Sequence, residues 1–157
     1  METDKAFKLN IVGQAFGASG YASHTRQLAL ALNKHIDVAV ETQKYPGWEL
    51  NCSQELIDMV NKNYQNEVTL MIGIPPFWEL VLANNPKKFI GFFIWEAIPL
   101  PAQWKDIIID ERVNQVWVCS AFCEQILLDA GIPKEKIFLV PHGYDKNKFY
   151  PIQEVKQ

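Results

Sequence analysis

Three glycines, Gly13, Gly17 and Gly20, punctuate the segment GQAFGASGY directly after the first apolar run of the chain. Glycine lets a backbone approach an anion closely. A helix that starts there presents free N–H groups and the positive end of its dipole. Gly17 and Gly20 are therefore the expected contacts for a phosphate-bearing ligand, although a tight strand-to-helix turn also calls for glycine. Glu96 follows an apolar run and Trp95. A carboxylate there can accept a hydrogen bond from a hydroxyl or orient a basic group, or can be a solvated loop acid. His142 lies in the turn Pro141-His142-Gly143-Tyr144-Asp145. Its imidazole can donate to a phosphate or hydroxyl, or bond its own backbone. His24 reads as a structural residue at the core edge, and His35 as a solvated helix end. Trp78, Trp95 and Trp104 read as core packing or as surfaces on which a ring can stack.

The same residues limit the chemistry. A dinucleotide fingerprint needs G-x-G-x-x-G and an acid at the end of the second strand. Glu41 supplies the acid, but the glycines here are spaced G-x-x-x-G-x-x-G. That spacing disfavours a nicotinamide dehydrogenase. No Gly-Lys-Ser/Thr follows the first strand, which excludes a P-loop. Cys119 and Cys123 resemble half a zinc site, but no further ligands stand at a recognisable spacing, so no metal is expected. With Cys52 they make three cysteines. The start METDKAFKLN has no apolar segment of signal-peptide type. Together these read as reduced thiols in a cytoplasmic protein. A net charge of -3 with acids and bases interspersed gives no footprint for nucleic acid.

Such residues need elements to position them. The 157 residues, 48% hydrophobic and 21% charged, suffice for one domain with a real core. Strand and helix patterns alternate: strands over 8–12, 36–40, 68–72, 88–94, 115–119 and 136–140, and helices over 21–33, 53–62, 78–83, 99–111 and 121–130. The first helix should bury Tyr21, Thr25, Leu28 and Leu32 on one face. A long loop is expected over 42–52, and Gly131 should close the last helix. Six strands with intervening helices predict an α/β, Rossmann-like, doubly wound parallel sheet with helices on both faces. In such a sheet ligands bind beyond the carboxyl ends of the strands. The glycine loop, Gly73 to Trp78, Trp95-Glu96, Ser120 and the His142 turn would all fall on that one rim. With the opposite rim reading as solvated turns, this asymmetry argues for a site. Phe16, Trp78, Trp95 and Tyr144 should form an uncovered apolar patch there.

Several of these segments together resemble one family. Gly17-Ala18-Ser19-Gly20-Tyr21-Ala22 with Thr25-Arg26-Gln27-Leu28-Ala29 resembles the opening glycine loop and first helix of the retaining, nucleotide-sugar-dependent glycosyltransferases of family four, which have the GT-B fold. Trp95-Glu96 with Pro99 and Trp104 resembles their fourth-strand loop. Val116-Trp117-Val118-Cys119-Ser120-Ala121-Phe122 resembles their fifth strand and serine turn. Pro141-His142-Gly143-Tyr144-Asp145 with Phe149 and Pro151 resembles their hinge.

The resemblance implies one half of a GT-B fold: an acceptor-side domain over 1–151 and the start of a linker over 152–157, with a donor-binding domain to follow. It implies transfer of a sugar, with retention, from a nucleotide diphosphate sugar to an acceptor hydroxyl. Glu96 and His142 become the catalytic candidates. Gly17, Gly20, Ser120 and Gly143 become the residues around the donor. The family needs no metal, and no Asp-x-Asp occurs here. The implied partners are the donor, a glycan, lipid or small-molecule acceptor, and the donor domain. A membrane surface touched peripherally and a second copy in weak association complete the expected contacts. Without the donor domain's basic residues the leaving diphosphate has no cationic clamp, so the chain alone should be inactive. Two other readings stand beside this one: a non-catalytic module that binds a glycan or protein partner, and a nucleotide-binding oxidoreductase fragment.

Overall fold

The structure is a computed structural model that describes residues 7–43, 52–62, 64, 67–147 and 149–151. The elements run β1 (Lys8–Gly13), α1 (Gly20–Leu32), β2 (Asp37–Glu41), α2 (Gln54–Val60), β3 (Val68–Ile72) and α3 (Pro75–Leu82). They continue with β4 (Lys88–Phe93), α4 (Ala102–Ile109), β5 (Val113–Val118), α5 (Ala121–Asp129), a 3-10 turn (Lys134–Lys136) and β6 (Ile137–Leu139). The six strands form one sheet in the order β2-β1-β3-β4-β5-β6. Every pairing is parallel. This is the α/β, Rossmann-like doubly wound arrangement that the alternating pattern predicts.

Helices on both faces explain why the inner strands are apolar runs and not alternating ones. In β3, four of five residues are buried. On one face, Leu9, Ile11, Val38, Val40, Leu70 and Ile72 pack with Ala29 of α1 and with Leu56 and Met59 of α2. On the other, Met71, Phe89, Phe93, Val116 and Val118 pack with Trp78, Trp104, Ile108, Ile126 and Leu127 of α3, α4 and α5. Gly91 makes the second layer fit. A Cβ there would stand 2.3 Å from the Trp78 ring, so only glycine lets α3 lie this close to β4. The Trp78 indole donates to the Gly73 carbonyl at 2.9 Å.

Serine begins three helices. Ser19, Ser53 and Ser120 each accept an amide hydrogen from the third residue onward, which satisfies a donor that helix geometry leaves free. Gly131, with φ 77°, closes α5 as expected. The expected bounds shift in places. α3 begins at Pro75 instead of Trp78, because proline suits a first helical turn and does not merely stop the strand before it. β5 begins at Val113, which pairs with Phe89 across a register shift. In α1 the buried residues are Ala22, Thr25 and Ala29. Tyr21, Leu28 and Leu32 are only half-buried, since small residues bring the helix closest to the sheet. Most of the expected 42–52 loop, and the expected linker over 152–157, lie outside the described residues. Among the described residues no helix is long and apolar enough to cross a membrane.

Candidate functional site at the carboxyl rim

The chain leaves β1 toward β2 and later returns to β3 on the other side of β1. The loops after β1 and β3 therefore part, and the crevice between them is where doubly wound sheets take ligands. The loop after β1 is tightly held from behind. Ala15 and Phe16 are buried as a plug. The Ala15 amide donates to Thr42 Oγ1 at 2.9 Å. Arg26, two turns into α1, sends Nη1 to the carbonyls of Ala15 and Gly17, at 2.8 and 2.9 Å. Gly17 stands at φ 95°, a conformation that side-chain-bearing residues adopt only under strain. Gly20 differs. A Cβ there would meet no atom within 4 Å, so packing does not require glycine at this position.

Next to this loop the first turns of α1 deliver Tyr21 and His24. The Tyr21 hydroxyl donates to the Ile94 carbonyl at 3.2 Å, which ties α1 to the loop after β4. Burial raises the Tyr21 pKa first, and the Glu96 charge and the Cys119 and Cys123 sulfurs raise it further. Glu96 itself is exposed and electrostatically coupled to this hydroxyl. The His24 ring lies 4.3 Å from the His142 ring and 4.7 Å from Phe92, between centroids. His142 stacks on Phe92 at 5.7 Å. Burial, and then repulsion from His142, lower the His24 pKa to about 4. Burial lowers that of His142 too. Both imidazoles are thus neutral near pH 7. They can exchange a hydrogen bond with a ligand, but they are not a cationic clamp. His24 Nε2 is buried and has no hydrogen-bond partner among the described residues, and the same holds for Trp95 Nε1.

The six candidate residues thus divide. Glu96 and His142 reach the same rim: the His142 ring packs against His24, and the Glu96 charge is felt by the Tyr21 hydroxyl. Gly20 is exposed at the glycine loop, and Gly17 is half-buried, its carbonyl held by Arg26. Gly143 is exposed, with open space where a Cβ would be. Ser120 stands on the rim as well, but its oxygen accepts from the Cys123 amide at 3.2 Å and caps α5. The expected apolar patch needs correction. Phe16 is 2% and Trp78 0% exposed, because the first plugs the glycine loop and the second fills the space left by Gly91. Trp95 is half-buried in edge contact with Trp104 at 4.6 Å. Of the four, only Tyr144 is largely exposed.

Tyr21, His24 and Arg26 are the site residues that sequence reasoning missed. Tyr21 and His24 are three apart at the head of a helix that follows a glycine loop. That spacing puts both side chains on one face at the rim, and it is the signal that could have found them. Arg26 carried no such signal, because its partners are backbone carbonyls. A shallow hollow of about 190 Å³ lies at the opposite, amino rim, lined by Leu82, Asn85, Pro86, Lys87, Arg112 and Asn114. Its strongest polar groups are already engaged: Arg112 with Asp110, and Asn114 Oδ1 with the Phe89 amide. Among the described residues no three His, Cys, Asp or Glu side chains gather as a metal site would need. No known family profile matches the chain, and no curated protein matches its sequence.

Proposed function

We propose that this domain is the acceptor-side half of a retaining glycosyltransferase that uses a nucleotide diphosphate sugar, and that it works with a donor-binding domain across its carboxyl rim. The observation that carries the reading is the convergence at that rim. A glycine loop strapped by Arg26 offers its exposed side beside Tyr21, His24, Glu96 and His142, which come from three separate elements or loops. In this reading the backbone of Gly17 to Gly20 approaches the diphosphate at the α1 N-terminus. Glu96 accepts a hydrogen bond from a sugar or acceptor hydroxyl. Neutral His142, backed by His24, donates to or accepts from the ligand without adding charge. Ser120 and Gly143 flank the nucleotide, while the donor domain supplies the cations that stabilise the departing diphosphate. A cytoplasmic setting goes with this proposal.

The test is a transfer assay on the complete reading frame with a panel of nucleotide sugars and acceptors, run beside Glu96→Gln and Gly20→Val. Product from the wild type, with at least tenfold lower turnover in both variants, supports the reading. Full activity in both variants removes the rim from the chemistry. A second reading rests on Glu41. It ends β2, next to Thr42, which holds the glycine loop, and an acid there suits a nucleotide ribose. Enhanced nicotinamide fluorescence on mixing, lost in Glu41→Gln, would favour a nucleotide-binding oxidoreductase instead.

A further inference from the structure

Cys119 is the first residue beyond β5, and Cys123 lies in the first turn of α5. The sharp Ser120 cap between them brings the two sulfurs to 3.9 Å. We propose that Cys119 and Cys123 are a modification site: a dithiol that closes to an intramolecular disulfide when a peroxide reaches the rim. Sulfur–sulfur contact already exists, and closure to a bond of about 2.05 Å needs only about 2 Å of further approach. The two thiols differ in access. Cys119 is half-buried and Cys123 is 3% exposed. Cys119 is therefore the one that meets oxidant, and Cys123 is the one that resolves it. Cys52, the third cysteine, lies just before α2 and has no such sulfur neighbour among the described residues.

Cys119 gives its proton to solvent, and its thiolate attacks one oxygen of hydrogen peroxide. The O–O bond breaks, hydroxide leaves and is protonated to water, and the sulfur becomes a sulfenic acid. The Cys123 thiolate, its proton also released, attacks that sulfur. The S–S bond forms, the S–O bond breaks, and a second water departs. Two thiols are oxidised and one peroxide is reduced. Burial raises the Cys119 pKa, so the reaction should quicken as pH rises. The consequence reaches the candidate site. The Cys123 thiol donates to the Trp95 carbonyl at 3.3 Å. A disulfide has no S–H to donate, so oxidation at the β5–α5 junction releases a hold on the loop that carries Glu96. This inference is independent of the proposed activity.

The test uses the purified chain and hydrogen peroxide, followed by maleimide labelling under denaturing conditions and tryptic mass spectrometry. Both cysteines fall in a single tryptic peptide, Val113 to Lys134, because no Lys or Arg lies between Arg112 and Lys134. The expected result is that this peptide becomes lighter by two hydrogens and loses both labels, while a reductant restores them. Cys123→Ser should instead leave Cys119 as a sulfenic acid that dimedone traps. The proposal is overturned if the peptide keeps both labels at a peroxide dose that oxidises Cys52. It is equally overturned if the two sulfurs gain oxygen separately and no loss of two hydrogens occurs.

Discussion

Glycine means two different things at Gly17 and Gly20, and substitution should separate them. Gly17 is left-handed at φ 95°, so Gly17→Val should cost about 1–3 kcal/mol of stability. Gly20 opens α1 into free space, so Gly20→Ala should stabilise the fold by about 0.5 kcal/mol through helix propensity. Under the proposed function the same change should weaken nucleotide diphosphate binding several-fold, because the backbone there approaches the phosphates. Denaturant unfolding beside calorimetric titration reads both. His24 sets a second expectation. In the fold its pKa is about 4, against 6.5 when free, so the unfolded chain takes up the proton first as pH falls. This contribution is whole above about pH 6.5 and is lost on descent toward about pH 4. His24→Gln should flatten the unfolding midpoint across that window. Asp110, held at about 2 by Arg112, acts in the opposite chemical sense but also loses its contribution in acid, at a lower pH. The two windows are therefore separable. Glu96, His142 and the glycines stood out in the sequence because each follows an apolar strand run, at the rim where such a sheet takes ligands. His24 was not, because its role comes from a ring on another segment, His142, more than a hundred residues away in sequence.

At the level of elements, the alternation of apolar runs and helical spacing was enough to anticipate all six strands and all five α-helices. What it could not show was the depth at which each helix sits. That is decided by pairs such as Gly91 and Trp78, which are close only once β4 and α3 have packed. Gly91→Ala should therefore be destabilising by about 1–3 kcal/mol or more, although alanine suits a strand better than glycine does. Pairing it with Trp78→Phe, which frees space but loses the hydrogen bond to Gly73, should recover part of the loss. A double-mutant cycle by urea unfolding measures that coupling, and strict additivity would show that the two residues do not crowd each other. Rim composition was equally legible, but rim exposure was not. Phe16 and Trp78 occur where a ligand surface would have them, yet one plugs a loop and the other fills a core. Periodicity cannot distinguish a tryptophan beyond a strand that faces solvent from one, like Trp78 of α3, that folds back onto a glycine.

For the molecule as a whole, several exposed apolar side chains lie on β6 and on the segment that follows it. Phe138 and Leu139 of β6 are 41% and 48% exposed, and Tyr144, Phe149 and Tyr150 beyond it are 68–69% exposed. Exposed apolar side chains of this kind favour association, and contacts of modest area are weak. Sedimentation should show a concentration-dependent dimer that Phe138→Ser with Tyr144→Ser weakens. A dimer unaffected by that pair would place the contact elsewhere. The strand order carries a different consequence, for synthesis. β1 is made before both strands that flank it, with Leu9 paired to Val38 on one side and to Val68 on the other. A nascent chain that has released only β1, α1 and β2 has an apolar strand with one bare edge, and it stays so until β3 emerges. Non-local pairing of this type folds slowly, and bare edges invite aggregation in the interval. Release of the chain at Glu41 should therefore give insoluble material, whereas release after Phe93, with β3 and β4 in place, should give a product that chaperones hold in solution. A ribosome-display series across these lengths would locate where in translation the danger ends.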